Sequence, residues 1–190
     1  MAISEATIHK FTFEDFERMA EVGVLPERGL ELVDGIVIEM SPKGDRHWYA
    51  VTALAGFFGD MRAERFVVST ASLTLRLGPN DSREPDLVLS RGSLTALRQR
   101  PRAEDIALLV EVADSSLSHD MGEKKKAYAT VGIPEYWVID VVHETAHVFR
   151  GANRFDGSYL NESAHDRTAV IAPAEFPEVL IDLARVFRPR

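Results

Sequence analysis

The run Ile106–Ala113, which reads IALLVEVA, constrains the fold of this chain more than any other segment. Seven of its eight residues are apolar, and continuous apolarity is typical of a central strand that is buried on both faces of a sheet. After the run come a polar loop at Asp114–Asp120, helical spacing at Met121–Val131 and a second strand-like run at Glu135–Val142. This order predicts an α/β or α+β domain in which helices flank a central sheet.

Further elements are predicted from caps, turns and apolar spacing. A capping-box pattern at Thr12 and Asp15 marks the start of a helix, and Asp34-Gly35 between alternating apolar residues marks a hairpin. The predicted elements are helices at Phe13–Ala20 and Arg46–Arg62, strands at Leu30–Val33, Ile36–Met40, Phe66–Thr70, Ser72–Leu77 and Pro85–Leu89, and a hairpin of His147–Arg150 with Ala169–Ile171. The polar segment Arg91–Asp105 is expected to form a loop or short helix, and EVLIDLARVF near the end a short strand or helix.

The size and composition fit one globular domain that spans residues 1–190. The chain has no cysteine, which excludes disulfides, thiolate zinc sites and cysteine nucleophiles and fits a reducing compartment, so we expect a cytoplasmic protein. No apolar segment resembles a signal peptide or a membrane span. The net charge of −8 argues against a protein that coats nucleic acid nonspecifically, because phosphate binding is driven by lysine and arginine.

Glu111 and Asp86 are the acidic residues most indicative of chemistry. Glu111 lies inside the apolar run, where an unpaired carboxylate costs several kcal/mol, so it must be paired, hydrogen-bonded or bound to a metal. Asp86 follows a proline at the start of a short apolar strand. A structural salt bridge for Glu111 and a turn role for Asp86 are the alternatives. Two carboxylates on adjacent strand ends would form an oxygen-ligand site for Mg²⁺ or Mn²⁺.

Lys124 is the third candidate, because helical geometry turns it inward. Positions spaced by three and four residues share one helix face, and this face carries Met121, Lys124, Tyr128 and Val131. Since the other three are apolar or aromatic, Lys124 is predicted to share a buried stripe, with Tyr128 packed against the sheet. A solvated lysine run, the alternative, suits Lys125 and Lys126 better.

Several segments together resemble a known family. The segments ELVDG, MSPKGDRH, EPDLVLS, LLVEVADSS and DMGEKKKAYATVGIPEYWVIDV, in this order between Leu30 and Val142, are similar to the Uma-type restriction-endonuclease-like family. This family belongs to the PD-(D/E)XK nuclease superfamily. The segment GIPEYWVID after K-x-x-x-Y is the most distinctive part. The resemblance implies a restriction-endonuclease-like core with a central mixed sheet flanked by helices, and a Mg²⁺-dependent phosphodiesterase site.

The resemblance also implies roles for individual residues. It maps the superfamily aspartate onto Asp86 and the acidic half of (D/E)XK onto Glu111. The sequence then departs from the superfamily pattern, because Ala113 stands where the lysine is expected. The lysine is instead carried by the following helix, in the D-x-x-x-K pattern from Asp120 to Lys124. This position agrees with the helical spacing, which turns Lys124 toward the interior.

The implied chemistry is hydrolysis of a phosphodiester by metal-activated water, with DNA as the expected substrate. Asp86 and Glu111 would hold one or two Mg²⁺ ions, and Lys124 would orient the water or stabilise the transition-state charge. Lys124 is expected to pair with both acids when no metal is bound. Glu31 in ELVDG matches a further acidic position that could contact the metal or water, although a glutamate at a hairpin edge is an equal alternative. A homodimer would suit an enzyme that cuts two strands.

Two alternatives lead away from this function. The first is a protein that keeps the nuclease fold for binding or assembly without catalysis, which the negative charge favours. The second is a zinc protease, because His143 to His147 reads HETAH and matches H-E-x-x-H. That mechanism needs both histidines on one helix face, whereas the flanking residues favour a strand. His47, at the start of a helix, could approach the substrate, but it is expected to cap the helix or lie at the surface.

Overall fold

A computed structural model describes residues 8–26, 29–59, 65–70, 73–97 and 99–187. Its helices and strands, in chain order, are α1 (Phe13–Glu21), β1 (Leu30–Val33), β2 (Ile36–Glu39), α2 (Asp45–Gly59), β3 (Phe66–Thr70), β4 (Leu75–Gly78), β5 (Asp81–Arg83), β6 (Leu87–Arg91), a 3₁₀ turn (Ala103–Asp105), β7 (Ile106–Ala113), α3 (Leu117–His119), a π-helical turn (Asp120–Lys124), α4 (Lys125–Val131), β8 (Glu135–Asp140), β9 (Thr145–Asn153), β10 (Ser158–Asp166), β11 (Val170–Ile171), β12 (Ile181–Asp182) and α5 (Leu183–Val186).

A mixed six-stranded sheet forms the centre of the fold, with strand order β10-β9-β8-β7-β6-β3. The strands β7 and β8 are parallel, and the other neighbouring pairs are antiparallel. Parallel neighbours need a crossover connection, which α3, the π-helical turn and α4 supply here. A second, antiparallel sheet has the order β2-β1-β5-β4.

Both faces of the central sheet are buried at β7. Alternate residues of β7 point to opposite faces. Leu108, Val110 and Val112 pack in the cluster that contains Leu54 of α2. Leu109, on the other face, packs in a cluster with residues of α4 and with Leu75 of the second sheet. This double burial accounts for the continuous apolarity of β7.

The predicted class, a sheet flanked by helices, is confirmed, and so are several elements. The strands β1 and β7 have the predicted bounds, β7 is buried along its whole length, and α1 carries the predicted capping box with Thr12 and Asp15. The strand predicted at Pro85–Leu89 begins at Leu87 instead, so that Asp86 lies just before it. Residues 60–62 of the predicted second helix and Ser72 of a predicted strand lie outside the described residues.

The predicted C-terminal hairpin is wrong in its pairing. The strand that contains His147–Arg150 pairs with β10, and Val170–Ile171 pairs with β12. The strand β10 is not predicted from the sequence. It is a mostly exposed edge strand, and apolar and polar residues do not alternate along it. The predicted helix Met121–Val131 also begins earlier, at Leu117, and includes the π-helical turn.

Gly157, in the turn between β9 and β10, tests the packing of this hairpin on α4. Its φ of 70° is left-handed, and an added Cβ would lie 2.7 Å from Cγ of Lys126 and 2.8 Å from Oγ1 of Thr130. We expect Gly157→Ala to lower the free energy of unfolding in urea by about 2–4 kcal/mol through strain and overpacking. Gly56→Ala is the control, because Gly56 lies inside α2 with open space around it. That variant should gain about 0.5–1 kcal/mol from helix propensity; equal effects of both substitutions would contradict this packing.

Candidate active site

Asp86 and Glu111 face each other across two central strands. In the antiparallel register of β6 with β7, Leu87 pairs with Val110. Extending this register by one pair places Asp86 opposite Glu111, where the Cβ atoms of facing residues lie about 5 Å apart. Asp86 Oδ2 accepts a hydrogen bond of 2.8 Å from the backbone N–H of Val112, which fixes the aspartate beside the end of β7.

Asp86 is almost fully buried and has two basic side chains as partners. His47 Nε2 lies 3.0 Å from Oδ2, and the ammonium of Lys43 contacts Oδ1. Burial alone would raise the pKa of Asp86, but hydrogen bonds and charge from His47 and Lys43 bring it below the ordinary value. Asp86 is therefore held as a carboxylate.

Lys124 lies in a buried cluster of carboxylates. Its Nζ is 2.9 Å from Glu31 Oε1, 3.1 Å from Glu111 Oε1 and 3.8 Å from Asp120 Oδ1. The side chain is only 3% exposed. Burial by itself would lower the pKa of Lys124, but the charges of Glu111, Glu31 and Asp120 raise it above its ordinary value. Lys124 is therefore an ammonium group, held in place by three acids.

Glu111 has one oxygen held by donors. Its Oε1 accepts hydrogen bonds from Lys124 at 3.1 Å and from the Tyr128 hydroxyl at 2.7 Å. No hydrogen bond to Oε2 occurs within the described part of the chain. Burial raises the pKa of Glu111 to about 8. The charge of Lys124 lowers this pKa in part, whereas the negative charges of Asp86 and other acids raise it further. Glu111 therefore holds its proton much more strongly than an exposed glutamate does.

Glu31 is held from the second sheet. It lies on β1, an interior strand of that sheet, and is 1% exposed. Its Oε1 accepts a hydrogen bond of 3.3 Å from the backbone N–H of Glu84, and its Oε2 lies 3.6 Å from Nε of the fully buried Arg83. Arg83 also donates to the Leu32 carbonyl at 2.9 Å and binds the carboxylate of Glu123. One arginine thus joins the second sheet to the π-helical turn that carries Lys124.

The structure brings the four predicted site residues to one cleft, with changes in their pairing. Lys124 binds Glu111 as expected, but its second close acid is Glu31 rather than Asp86. The alternative of a hairpin-edge role for Glu31 is wrong, because β1 has neighbours on both sides. The prediction that His47 caps a helix or lies at the surface is also wrong, since His47 is 7% exposed and bound to Asp86.

Three further contacts of the cluster were not predicted from the sequence. Tyr128 packs against the sheet as expected, but it also donates to Glu111. Asp120 is 1% exposed, accepts a hydrogen bond of 2.5 Å from Ser116, and contributes to the acidic surroundings of Lys124. The sequence shows the i, i+4 spacing of Asp120 and Lys124, which is compatible with this contact. No sequence signal indicates that Lys43 reaches Asp86.

The cleft has the chemistry of a site for a hard cation. It encloses about 400 Å³, and seven acidic side chains but only two lysines line it. Glu31 Oε2 and Asp120 Oδ1 are buried without a hydrogen-bond partner. No three His, Asp or Glu side chains within the described ranges are grouped closely enough to hold a metal. Mg²⁺ usually keeps several waters and binds one or two protein carboxylates. Asp86 Oδ1 and Glu111 Oε2 are two carboxyl oxygens that could serve as these ligands.

The HETAH segment lies elsewhere and lacks the required geometry. His143 and Glu144 lie in a turn, and His147 lies on β9. His143 Nδ1 is 2.7 Å from the carboxylate of Asp140, at the end of β8. Because a zinc-protease site needs both histidines on one helix face, the structure does not support that alternative.

The mixed sheet with flanking helices fits the restriction-endonuclease-like fold, which is an α+β fold. The family model "Uma2: Putative restriction endonuclease" matches residues 13–184, so the chain belongs to this family. Among solved structures, the chain resembles a "putative nuclease belonging to DUF820" from Anabaena variabilis ATCC 29413. The TM-score is 0.72 at 14% identity, over 93% of this chain and 97% of that one, which supports the fold. The comparison with curated proteins finds no match.

The raised pKa of Glu111 predicts how stability depends on pH. Because this pKa is about 8 in the folded protein and 4.5 ordinarily, the native state keeps a proton that the unfolded chain releases between these values. Stability should therefore fall as pH rises through this range. Glu111→Gln mimics the protonated acid, so we expect it to flatten this slope and to be more stable than wild type at pH 8 by roughly 1–3 kcal/mol. Urea unfolding at several pH values measures this; parallel pH profiles of the two proteins would refute it.

Proposed function

We propose that this protein is a Mg²⁺-dependent nuclease that hydrolyses phosphodiester bonds of DNA. The observation that carries the proposal is the buried Lys124 ammonium held between Glu111 and Glu31 at 3.1 and 2.9 Å. Asp86 lies opposite Glu111, where the two adjacent strands end. Membership of a restriction-endonuclease family supports a nuclease, whereas the metal and the DNA substrate belong to our proposal.

The number of acids supports a functional rather than a structural cluster. A buried ion pair needs one partner of each sign, and each unpaired buried charge is costly. Here Lys124 is surrounded by three acids, with Asp86 nearby. These acids form a surplus of negative charge. Burial is the main cause of the raised pKa of Asp120, and the charge of Asp86 adds to it. A divalent cation would offset this surplus, which a purely structural pair would not require.

The residues of the cleft divide the work of the proposed reaction. Asp86 and Glu111 would hold the ion, and a bound Mg²⁺ supplies a more acidic water and neutralises phosphate charge. Glu111 must release its proton to act as a ligand. Lys124, whose pKa is raised by its acidic neighbours, stays an ammonium. It therefore acts as a hydrogen-bond donor that orients the water or stabilises the charge of the transition state, not as a base.

The orientation of Lys124 discriminates between the enzyme and a non-catalytic binding or assembly protein. A protein that retained only the fold would not need an inward-facing lysine. Since Lys124 is 3% exposed and contacts Glu111, the geometry favours the enzyme. Mn²⁺ could replace Mg²⁺ with the same oxygen ligands. A homodimer and a cytoplasmic location stay predictions. Within the described ranges, no helix is long and apolar enough to cross a membrane.

Plasmid cleavage with Mg²⁺ or Mn²⁺ tests the activity. We expect Asp86→Asn and Lys124→Met each to lower the rate about 100-fold or more, because each removes a group that stabilises the transition state. Lys126→Met is the matched control, since Lys126 is exposed on the same helical segment, and it should cleave like wild type. Cleavage that survives in both site variants would show that the activity comes from another site or from a contaminant.

Thermal unfolding tests the ion separately from cleavage. A ligand that binds only the folded state at 100 times its Kd adds about 2.7 kcal/mol to stability, so Mg²⁺ should raise the melting temperature. Glu111→Ala should abolish the increment. Glu135→Gln is the control, because Glu135 is also buried but pairs with Trp137 and Arg150 outside the cleft. It should melt earlier yet keep the increment; an unchanged increment in Glu111→Ala would place the ion elsewhere.

A further inference from the structure

The two lysines of the cleft differ in their access to solvent. Lys124 is 3% exposed, and its ammonium is engaged by Glu31, Glu111 and Asp120. Lys43 is 45% exposed and lies in the loop before α2. It is the lysine that a ligand entering from solvent can contact, and no arginine of the described residues lines this cleft.

The two oxygens of Asp86 are held in different ways. Oδ2 is fixed by the backbone N–H of Val112 at 2.8 Å and by the buried ring of His47 at 3.0 Å. Oδ1 is contacted by Lys43. The donors to Oδ2 belong to β7 and α2, whereas Lys43 is a flexible four-carbon chain on a loop. Lys43 can therefore leave Oδ1 by rotation of its own side chain, without any change in the sheet or the helix.

Charge makes this exchange favourable in the proposed reaction. A phosphodiester is anionic, and the cleft that must accept it is lined by seven acids and two lysines. A divalent cation at Asp86 Oδ1 would replace a single positive charge by two and repel the Lys43 ammonium. A substrate phosphate bound at this cation would then offer Lys43 a new anionic partner.

We propose that Lys43 is the phosphate-binding residue of this cleft, and that it leaves Asp86 for a substrate phosphate when a divalent cation binds there. The inference rests on the proposed function and adds a residue role to it. In the metal-free protein Lys43 acts as the counter-ion of Asp86, and in the complex it contacts the nucleic acid backbone. Lys43 thus competes with the cation but assists the substrate.

Two binding measurements on Lys43→Met, neither of which needs turnover, test these opposite effects. The first is titration of Mg²⁺ alone by calorimetry. Removal of the competing ammonium should tighten Mg²⁺ binding several-fold. The second is fluorescence anisotropy with a short labelled DNA duplex in Ca²⁺. Loss of one phosphate contact should weaken duplex binding about tenfold, equal to about 1.4 kcal/mol, and reduce the salt slope by about one. Lys43→Arg should keep most of the DNA affinity.

Lys10→Met is the matched control, because Lys10 is 49% exposed and also binds an aspartate, Asp34, outside the cleft. It should change neither Mg²⁺ binding nor DNA binding. If wild type binds Mg²⁺ and DNA but Lys43→Met leaves both affinities unchanged, or weakens the Mg²⁺ affinity, the role of Lys43 is refuted while the proposed function stands. If wild type itself binds neither Mg²⁺ nor DNA, the proposed function fails and this inference fails with it.

Discussion

Electrostatic attraction to the acids around it holds the buried ammonium of Lys124 at the centre of the site. Lys124 contacts Glu31 and Glu111 at 2.9 and 3.1 Å in a place that water barely reaches. Charges in such a medium interact strongly, but they persist only when partners are held in good geometry. The hydrogen bonds of Tyr128 to Glu111 and of the Glu84 backbone to Glu31 provide this constraint.

The fold supplies the cluster from three separate parts of the chain. The central sheet places Asp86, just before β6, opposite Glu111 of β7. The crossover between β7 and β8 carries Lys124, and the second sheet contributes Glu31. Arg83 ties the second sheet to the crossover through Glu123. Because the sheet and helices are packed on both faces, the site residues are fixed by rigid elements rather than by loops. Lys43 is the exception, because it lies on a loop and is 45% exposed.

Much of this arrangement could be predicted from the sequence, because local patterns carry strong physical signals. The apolar run around Glu111 predicts a buried strand with a functional acid, and helical spacing predicts the inward turn of Lys124. The pairing of Lys124 with Glu31, the burial of His47 and the reach of Lys43 depend on tertiary geometry that no local pattern contains. The edge strand β10 was missed because its exposed, polar sequence has no period-two signal. The π-helical turn likewise has no simple sequence signature.

In the proposed function, Asp86 and Glu111 share one divalent cation. Crystals grown with Mn²⁺ and measured at a wavelength that gives anomalous scattering from manganese test it most directly. We expect one strong peak in the cleft, about 2.0–2.2 Å from an oxygen of each carboxylate. The Lys43 ammonium should be displaced from Asp86. A peak at any other place, or ordered carboxylates with no peak at a saturating Mn²⁺ concentration, would contradict it.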